Sequence, residues 1–386
     1  MRYTAHPSLE PDRPMQACET PFGSLQLDRY PATNNPTLQP FDTADMYLLQ
    51  TAAAAQPKSV LVINDNFGTL ACALSMGGIQ VTSWGDSHLA ERALQLNAQV
   101  NDLTGQPPVF VPSSQLPADH YDLVLLRIPK SLALLEDQLS RLRPLLSSGT
   151  SVVAGAMLKH LPPSAGDLLA KYIGHYQASL AWKKARLLTA YLDPALTPAA
   201  PQLITRYSLP DSHITLINGP GVFSRERLDI GTRVLLPCIP KLSGNARIVD
   251  LGCGNGALGI QAALLNPEAE LSFIDESFAA VASAQNNFAT ACPDRTATFL
   301  VGDGLLDAPA RSAELVLCNP PFHQQQVVGD EIALRMFAQS RRALVNGGSL
   351  LVVGNRHLGY HAKLRRSFRY VEQIGGNGKF VVLRAN

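Results

Sequence analysis

Net charge, paired cysteines and long apolar runs are all scarce in this sequence. Its 32 Lys and Arg residues nearly balance its 31 Asp and Glu residues, so the formal net charge is only +1. This balance excludes a chain-wide field that would draw the protein to nucleic acid or to an anionic membrane, and any polyanion site must be a local patch. No stretch approaches the roughly 18 consecutive apolar residues of a membrane span, so we expect no membrane association.

The cysteines give no sign of a disulfide framework or a metal site. There are six, none of them in a CxxC pair, and no cluster of His and Cys has zinc-ligand spacing. We therefore expect free thiols in a reducing compartment and no bound metal. The amino-terminal segment MRYTAHPSLEPDRPMQACETPFG is polar and proline-rich and lacks the apolar core of a signal peptide. Together these features predict a cytoplasmic protein.

The sequence does contain an internal repeat. The segments SVLVINDNFGTLACALS (59–75) and ARIVDLGCGNGALGIQAALL (246–265) each consist of a β-branched run, a turn with glycine and a small-residue helix. Farther along, each copy has a strand that closes on an acid, Asp86 or Asp275. Repeated segments of this kind are the sequence signature of a duplicated unit.

A third block repeats in the same order, since DHYDLVLLRIPK matches SAELVLCNPPFHQQ. The offset between the copies grows only from 188 residues, between Ser59 and Arg247, to 192 residues, between Arg127 and Asn319. Strand runs alternating with helical patterns predict βαβ units, a mostly parallel sheet and ligand sites at the carboxyl ends of the strands. We therefore expect two tandem, homologous α/β domains.

The boundary between the domains is predicted from composition. The segment YLDPALTPAAPQL (191–203) is rich in Pro and Ala and poor in charge, as an exposed connection would be. We place the domains at residues 1–200 and 201–386. After the connection, LITRYSLPDSHITLING (203–218) predicts a hairpin turned at PDS, and the final KFVVLRAN predicts an edge strand.

The second copy carries a glycine-rich turn, VDLGCGNGALG, between a strand and a helix. Gly252, Gly254 and Gly256 suit this position because only glycine lets the backbone come close to a ligand in such a turn. The turn alone does not identify the ligand, since a dinucleotide site would use the same strand ends.

Three carboxylates accompany this turn, each near the end of a predicted strand. Asp250 precedes the glycines and can accept hydrogen bonds from the amino group of a cationic ligand. Asp275 lies 25 residues farther on, where a carboxylate binds both hydroxyls of a ribose. Asp303, in LVGDG, can meet an adenine amino group. The set predicts a site for an adenosine-containing ligand.

The stretch CNPPFHQQQ (318–326) follows an apolar run and stops it. Proline cannot donate to a strand ladder and restricts the residue before it, so the strand must end at Asn319. A DxGxGxG turn followed by NPPF resembles the seven-strand S-adenosylmethionine-dependent methyltransferases that act on exocyclic or amide nitrogens. The role of His323 stays open between lining a base pocket and hydrogen bonding within the loop.

This resemblance implies a seven-strand Rossmann-like fold with an antiparallel last strand, and S-adenosyl-L-methionine as cofactor. In the family pattern, the side-chain oxygen of Asn319 and the backbone carbonyl of Pro320 accept the two N–H bonds of the target amine. Pro321 keeps the turn rigid, and Phe322 stacks on the base.

A narrower resemblance lies just upstream of the glycine turn. The segment FSRERLDIGTRVLL (223–236) is similar to the bacterial two-domain guanine-N2 ribosomal RNA methyltransferases, and most of all to those that act on the large-subunit (23S) RNA. The likeness includes RYPAT (29–33), AWKKARL (181–187) and NRHLGYHAKLRRSF (355–368). It implies that Phe223 and Asp229 lie against the cofactor or the target, although Asp229 also suits a helix N-terminus.

In this family the amino-terminal domain is a degenerate copy. Here its turn reads NDNFG, and its acceptor loop reads LRIPK, with Arg127 in place of Asn319 and Lys130 in place of Phe322. A cation there would repel an amine that becomes positive, so this half is expected to bind and support RNA. The predicted RNA contacts, each of which could equally be solvated surface, are Arg127, Lys130, Lys183, Lys184, Arg186, Arg356, Lys363, Arg365 and Arg366.

The resulting expectation is methyl transfer from S-adenosyl-L-methionine to the N2 amine of a guanine in 23S ribosomal RNA, with the base turned out of its stack. The chain is expected to act as a monomer with an internal pseudo-dimer. Alternatives left open are a 16S ribosomal RNA guanine-N2 methyltransferase, a protein-glutamine or DNA-adenine N-methyltransferase, and a non-catalytic RNA-binding assembly protein.

Overall fold

The computed structural model describes residues 15–33, 35–118, 120–321 and 326–386. Over these ranges the chain forms two seven-stranded sheets and two hairpins. Phe322 and His323, which the sequence singled out, lie outside the described residues. Within the described ranges, no helix combines the length and apolarity that crossing a membrane requires.

The amino-terminal half begins with a hairpin and then alternates between helix and strand. Its elements are β1 (Gln16–Thr20), β2 (Gly23–Leu27), α1 (Thr43–Ala55), β3 (Ser59–Ile63), α2 (Thr69–Met76), β4 (Gln80–Gly85), α3 (His88–Val100), β5 (Val109–Pro112), β6 (Leu123–Arg127), α4 (Leu132–Leu142), β7 (Ser151–Met157), α5 (Ser164–Tyr172), β8 (Tyr176–Ala178) and β9 (Ala185–Tyr191).

The carboxy-terminal half repeats this order. Its elements are β10 (Thr205–Ser208), β11 (Thr215–Asn218), α6 (Ile230–Leu235), β12 (Arg247–Leu251), α7 (Ala257–Leu265), β13 (Glu270–Asp275), α8 (Phe278–Ala291), β14 (Thr298–Val301), β15 (Ala313–Cys318), α9 (Gln326–Ala343), β16 (Leu344–Asn355), α10 (Tyr360–Leu364), β17 (Val371–Gly376) and β18 (Phe380–Ala385). The predicted hairpin is confirmed, since β10 pairs antiparallel with β11.

The two large sheets share one strand order. The first runs β5-β4-β3-β6-β7-β9-β8 and the second β14-β13-β12-β15-β16-β18-β17. In each sheet the last strand of the chain pairs antiparallel with both neighbours, and the other pairings are parallel. The predicted fold, two tandem and mostly parallel seven-strand domains, is confirmed.

The predicted edge position of the final strand is wrong. β18 lies between β16 and β17, and β17 forms the edge. The reason is the composition of β18: Phe380, Val382 and Leu383 are buried, and such a continuous apolar run belongs inside a sheet.

Strand register fixes which positions of the two copies correspond. Ile63 pairs with Leu126 in the first sheet, and Leu251 pairs with Cys318 in the second. The next residues, Arg127 and Asn319, therefore occupy equivalent sites at the carboxyl ends of β6 and β15.

The register at the next strand corrects one sequence alignment. Ser87 and Ser277 are the N-caps of α3 and α8, and each accepts a hydrogen bond from the backbone three residues on. Counting back from these caps, Gly85 is equivalent to Asp275, and Asp86 is equivalent to Glu276. The predicted match of Asp86 with Asp275 is thus wrong by one residue, so the first copy lacks the strand-end carboxylate.

The two halves meet at the N-termini of α3 and α8 with approximate two-fold symmetry. Ser87 and Ser277 form an isolated antiparallel bridge. Two reciprocal backbone hydrogen bonds flank it, from His88 N–H to the Glu276 carbonyl at 2.8 Å and from Phe278 N–H to the Asp86 carbonyl at 3.0 Å. This contact holds the first domain beside the strand end that carries Asp275.

Candidate active site

The glycine turn after β12 adopts a conformation that requires glycine. Gly252, Gly254 and Gly256 have φ values of 72°, 54° and 86°, all in the left-handed region. At Gly256 a Cβ atom would also lie 3.2 Å from the Cα atom of Ala284 in α8. The turn therefore places bare backbone at the carboxyl end of the central strand, just before α7 begins.

Asp275 ties this turn to the neighbouring strand. Its Oδ2 atom accepts the backbone N–H of Gly254 at 2.9 Å, and its Oδ1 atom accepts that of Ser277 at 3.0 Å. Burial raises the pKa of Asp275, because the charged form loses hydration. The carboxylate thus shapes the turn, and its contact with a ribose stays a prediction.

Asp250 is the most deeply buried of the predicted cofactor carboxylates, with 1% of its surface exposed. Its Oδ2 atom accepts the Gly259 N–H at 2.8 Å, whereas Oδ1 is buried without a hydrogen-bond partner among the described residues. Burial raises the pKa of Asp250 to about 8. An unpaired buried carboxylate oxygen is costly, and a cationic amino ligand would satisfy it.

Asp303, just after β14, is 5% exposed, and both of its oxygens have protein partners. Oδ2 accepts the hydroxyl of Tyr30, from the amino-terminal domain, at 2.7 Å, and Oδ1 forms an ion pair with Arg335. Burial, followed by the charge of Asp303, raises the pKa of Tyr30 to about 12. The contact of Asp303 with an adenine amino group stays a prediction.

Asn319 lies directly after β15, where Pro320 and Pro321 prevent the strand from continuing. Its Nδ2 atom donates to Asp229 Oδ2 and to Thr232 Oγ1, each at 2.9 Å. Its Oδ1 atom is buried without a hydrogen-bond partner among the described residues. The side chain therefore presents a desolvated, unused acceptor at the strand end.

Asp229 is the N-cap of α6 and accepts the backbone N–H of Thr232 at 2.9 Å. The alternative interpretation of Asp229, as a carboxylate at a helix N-terminus, is therefore confirmed, and its side chain contacts Asn319. Phe223, in the loop before α6, is 54% exposed and so is available to a ligand.

Arg127, one of the predicted RNA contacts, is paired inside the first domain, and its contact with RNA stays a prediction. Its guanidinium donates to both carboxylate oxygens of Asp42, each at 2.9 Å, and also forms an ion pair with Asp45. These carboxylates come from α1 and its N-cap, more than 80 residues earlier in the chain. Arg127 is thus an internal structural cation, because its charge is already paired.

The other basic residues of the first domain lie on its surface. Lys183 and Lys184 are exposed on the turn between β8 and β9, with φ values of 45° and 67°. Lys183 Nζ lies 5.0 Å from the ring centroid of Trp182, whose ring packs 5.5 Å from that of Tyr47. Arg186, in β9, is half-buried.

Lys130 belongs to the same surface. Burial, then the positive charges of Lys159 and Lys130, lower the pKa of the neighbouring His160. The N–H of Leu158 donates to the Lys184 carbonyl at 2.8 Å and connects this loop to the lysine turn. Lys130, Lys159, Lys183 and Lys184 therefore form one exposed group, which we call the basic patch.

In the second domain, Arg356, Arg365 and Arg366 are exposed. Lys363 is bound to Asp330 at 2.7 Å. The aromatic residues of this segment, Tyr360 and Phe368, are only 2% and 3% exposed, as is expected of core positions. They are therefore not available to stack on RNA bases.

Comparisons with known proteins cover both halves. The family described as RLMG N-terminal domain matches residues 15–194, and the family described as Methyltransferase small domain matches residues 213–384. Curated relatives named ribosomal RNA large subunit methyltransferase G include one from Ectopseudomonas mendocina, 55% identical over 95% of this chain and 98% of its own. Another, from Pseudomonas aeruginosa, is 54% identical over 95% of this chain and 98% of its own.

One solved structure matches both domains together. It is the T. thermophilus 16S rRNA N2 methyltransferase RsmC, in complex with AdoMet and guanosine. The match has a TM-score of 0.77 and covers 96% of this chain and 97% of that one, at 20% sequence identity. At that identity the comparison establishes the shared two-domain fold.

Proposed function

The chain belongs to the family of ribosomal RNA large subunit methyltransferases G, and from that premise we propose that it methylates the N2 amine of a guanine in 23S ribosomal RNA. The methyl donor is S-adenosyl-L-methionine. The observation that carries the proposal is the buried Oδ1 of Asn319 at the end of β15, which has no hydrogen-bond partner among the described residues. The equivalent position of the first domain holds Arg127, so only the second domain presents an acceptor there.

An exocyclic amine on a purine is a poor nucleophile because its lone pair is delocalised into the ring. Acceptors fixed around its two N–H bonds favour the pyramidal amine and stabilise the positive charge that develops on it. Asn319 Oδ1 and the Pro320 carbonyl are the proposed acceptors, and Pro321 limits reorganisation.

When bound, S-adenosylmethionine supplies an electrophilic methyl group: the amine lone pair forms the N–C bond, the S–C bond breaks with its electron pair left on sulfur, and one N–H proton leaves to water. Phe322 is the proposed stacking surface for the base.

The residues around the glycine turn fit this cofactor. It carries an ammonium group and a sulfonium but no phosphate, which agrees with the buried Asp250 oxygen and with a turn that offers no lysine. We propose that Asp250 and the turn of Gly252, Gly254 and Gly256 bind its amino-acid part. The proposed ligands of the adenosine are Asp275, Asp303 and Phe223.

For the first domain, proposed at residues 1–200, we infer a role in RNA binding that rests on the basic patch. Trp182 and Tyr47 beside Lys183 combine an aromatic surface with positive charge, which suits a single-stranded RNA segment. In the second domain, residues 201–386, the exposed Arg356, Arg365 and Arg366 are the corresponding candidates. Lys363 and Arg186 are weaker candidates, because the first is ion-paired and the second half-buried.

A salt series tests this role. In the full chain, the double substitution Lys183→Ala and Lys184→Ala should make the fall of the RNA association constant with salt less steep. The slope of log K against log salt concentration should decrease in magnitude by about 1.4, as for two phosphate contacts on a single strand. Lys58→Ala, an exposed lysine at the opposite end of the first sheet, is the control. An unchanged slope in the double variant would remove the patch from the RNA interface.

We further propose that the chain acts as a monomer, because the two domains already form a pseudo-dimer through the reciprocal hydrogen bonds at Ser87 and Ser277. A ribosomal RNA substrate sets its place of action in the cytoplasm.

The proposed reaction is tested with labelled S-adenosylmethionine. Purified protein is incubated separately with 23S RNA, 16S RNA, assembled subunits, a release factor and DNA, and the products are digested and analysed. N2-methylguanosine from the 23S sample is the expected result. Label in the 16S, protein or DNA sample alone would assign one of the alternative substrates, and label in none would favour a binding protein.

A further inference from the structure

The orientation of the Asn319 amide is decided by its neighbours. Asp229 Oδ2 and Thr232 Oγ1 both lie 2.9 Å from Nδ2. An ionised carboxylate has only acceptor sites, so it must face the NH2 group and would repel the amide oxygen. With the NH2 group held on that side, Oδ1 is directed away from α6.

The two partners are themselves held in place. Asp229 Oδ2 accepts the backbone N–H of Thr232 as the N-cap of α6. Thr232 is 8% exposed, and α6 packs against β16, the strand beside β15. Neither side chain can turn away from Asn319 without leaving a buried polar group unpaired.

The first domain has a different trio at the same three places. Asp42 is the N-cap of α1, as Asp229 is of α6, and α1 packs against β7 as α6 packs against β16. Asp45 stands three residues after that cap, as Thr232 does, and both Asp42 and Asp45 bind Arg127. Where the strand end carries a cation, the helix supplies two carboxylates; where it carries an amide, the helix supplies a carboxylate and a hydroxyl.

We infer that Asp229 and Thr232 are positioning residues for methyl transfer: together they hold the amide NH2 of Asn319 so that Oδ1 faces the acceptor amine. Neither residue contacts the substrate in this role. The inference rests on the proposed function of the second domain and deepens it, since it explains why the FSRERLDIGT segment precedes the glycine turn.

Two matched pairs of variants separate this role from helix capping. Asn and Ser are both good N-caps. Only the Asn side chain at position 229, however, is long enough for its amide oxygen to accept a hydrogen bond from Nδ2 of Asn319. Asp229→Ser should therefore lower kcat by about 10²-fold, as loss of a support for a preorganised acceptor does. Asp229→Asn should recover most of that loss, with both proteins folded at the assay temperature and the KM for RNA unchanged in both.

Position 232 gives the second pair. Thr232→Val keeps the shape and removes the acceptor, and a loss of about 10-fold in kcat is expected for one hydrogen bond. Thr232→Ser keeps the hydroxyl and should recover the kcat that Thr232→Val loses. Equal kcat values within either pair would overturn the inference.

A readout without turnover keeps this test separate from that of the proposed function. The side-chain 15N–1H2 signal of Asn319 is assigned by its absence in Asn319→Ala. Its protons should exchange slowly in the wild type and in Thr232→Ser and markedly faster in Thr232→Val. Equal exchange in all three would overturn the inference, whether or not 23S RNA is methylated. Slow exchange without methylation of 23S RNA would keep the inference and reject the proposed substrate.

Discussion

The hydroxyl of Tyr30 donates a hydrogen bond to Asp303 Oδ2 at 2.7 Å, between side chains separated by 273 residues. One lies in each domain, and Asp303 stands at the strand end where an adenine contact is predicted. The degenerate domain therefore contributes a group to the wall of the proposed cofactor site. A second hydrogen bond between the domains runs from the Ser87 hydroxyl to the carboxylate of Glu276, the residue that follows Asp275.

Tyr30→Phe should weaken cofactor binding. The substitution keeps the ring and removes the donor, so the buried Asp303 carboxylate loses one of two partners and can turn away from the site. We expect the Kd for S-adenosylmethionine, measured by calorimetry, to rise about 5-fold, which corresponds to the roughly 1 kcal/mol of a typical hydrogen bond. Tyr47→Phe is the matched control, because that hydroxyl donates to the Leu180 carbonyl inside the first domain. Equal affinities in both variants would argue against a shared site.

Cofactor binding should release protons through Asp250. Burial raises its pKa to about 8, so below pH 7 the free protein holds this carboxyl mainly protonated. A bound ammonium group favours the ionised form and lowers the pKa, so affinity should rise with pH. Between pH 6 and 7 the cofactor's own amino group stays protonated, since α-amino groups titrate near about 7.8. Calorimetry in phosphate and in Tris should therefore give different apparent enthalpies.

The control for this experiment is Asp250→Asn, which keeps the shape and cannot titrate. It should bind the cofactor with the same enthalpy in both buffers. If the wild type also shows no buffer dependence and no rise in affinity with pH, then Asp250 does not face the ammonium group.

Arg127→Ala should destabilise the first domain rather than weaken RNA binding alone. Removing the guanidinium leaves the half-buried Asp42 and the buried Asp45 as close, unpaired carboxylates. Breaking such a pair costs about 3 kcal/mol of unfolding free energy. Lys130→Ala, at an exposed position, should change the unfolding free energy by less than about 0.5 kcal/mol. Urea unfolding measures both. A stable Arg127→Ala protein with reduced RNA affinity would instead favour the predicted RNA contact of Arg127.

The sequence predicted the parts of the fold that local signals determine. Glycines before a helix, β-branched strands and a double proline each act within a few residues, and the turn of Gly252, Gly254 and Gly256 has the left-handed backbone expected. The repeat extended those local signals to a two-domain architecture. The residue-by-residue alignment of the two copies was predicted less well. The match of Asp86 with Asp275 was wrong by one position, because the N-cap serines rather than the acids are equivalent.

The missed residues are those whose roles depend on contacts between distant segments. Arg127 appeared to be a free cation because its partners, Asp42 and Asp45, lie more than 80 residues away. Tyr30 and Thr232 gave no chemical signal of their own. The sequence did contain one local signal of these partners. FDTAD (41–45) precedes the NDNFG turn of the first copy at the place where LDIGT (228–232) precedes the glycine turn of the second. Comparing them would have indicated the exchange of partners around Arg127 and Asn319.

In the proposed reaction, Asn319 of the second domain acts as acceptor during methyl transfer to guanine. The most direct test of this role is Asn319→Ala, with single-turnover methylation of 23S RNA measured beside S-adenosylmethionine affinity. We expect a loss in rate of about 10²-fold or more, with the cofactor Kd unchanged within about twofold. An unchanged rate, or abolished cofactor binding, would contradict the role assigned to Asn319.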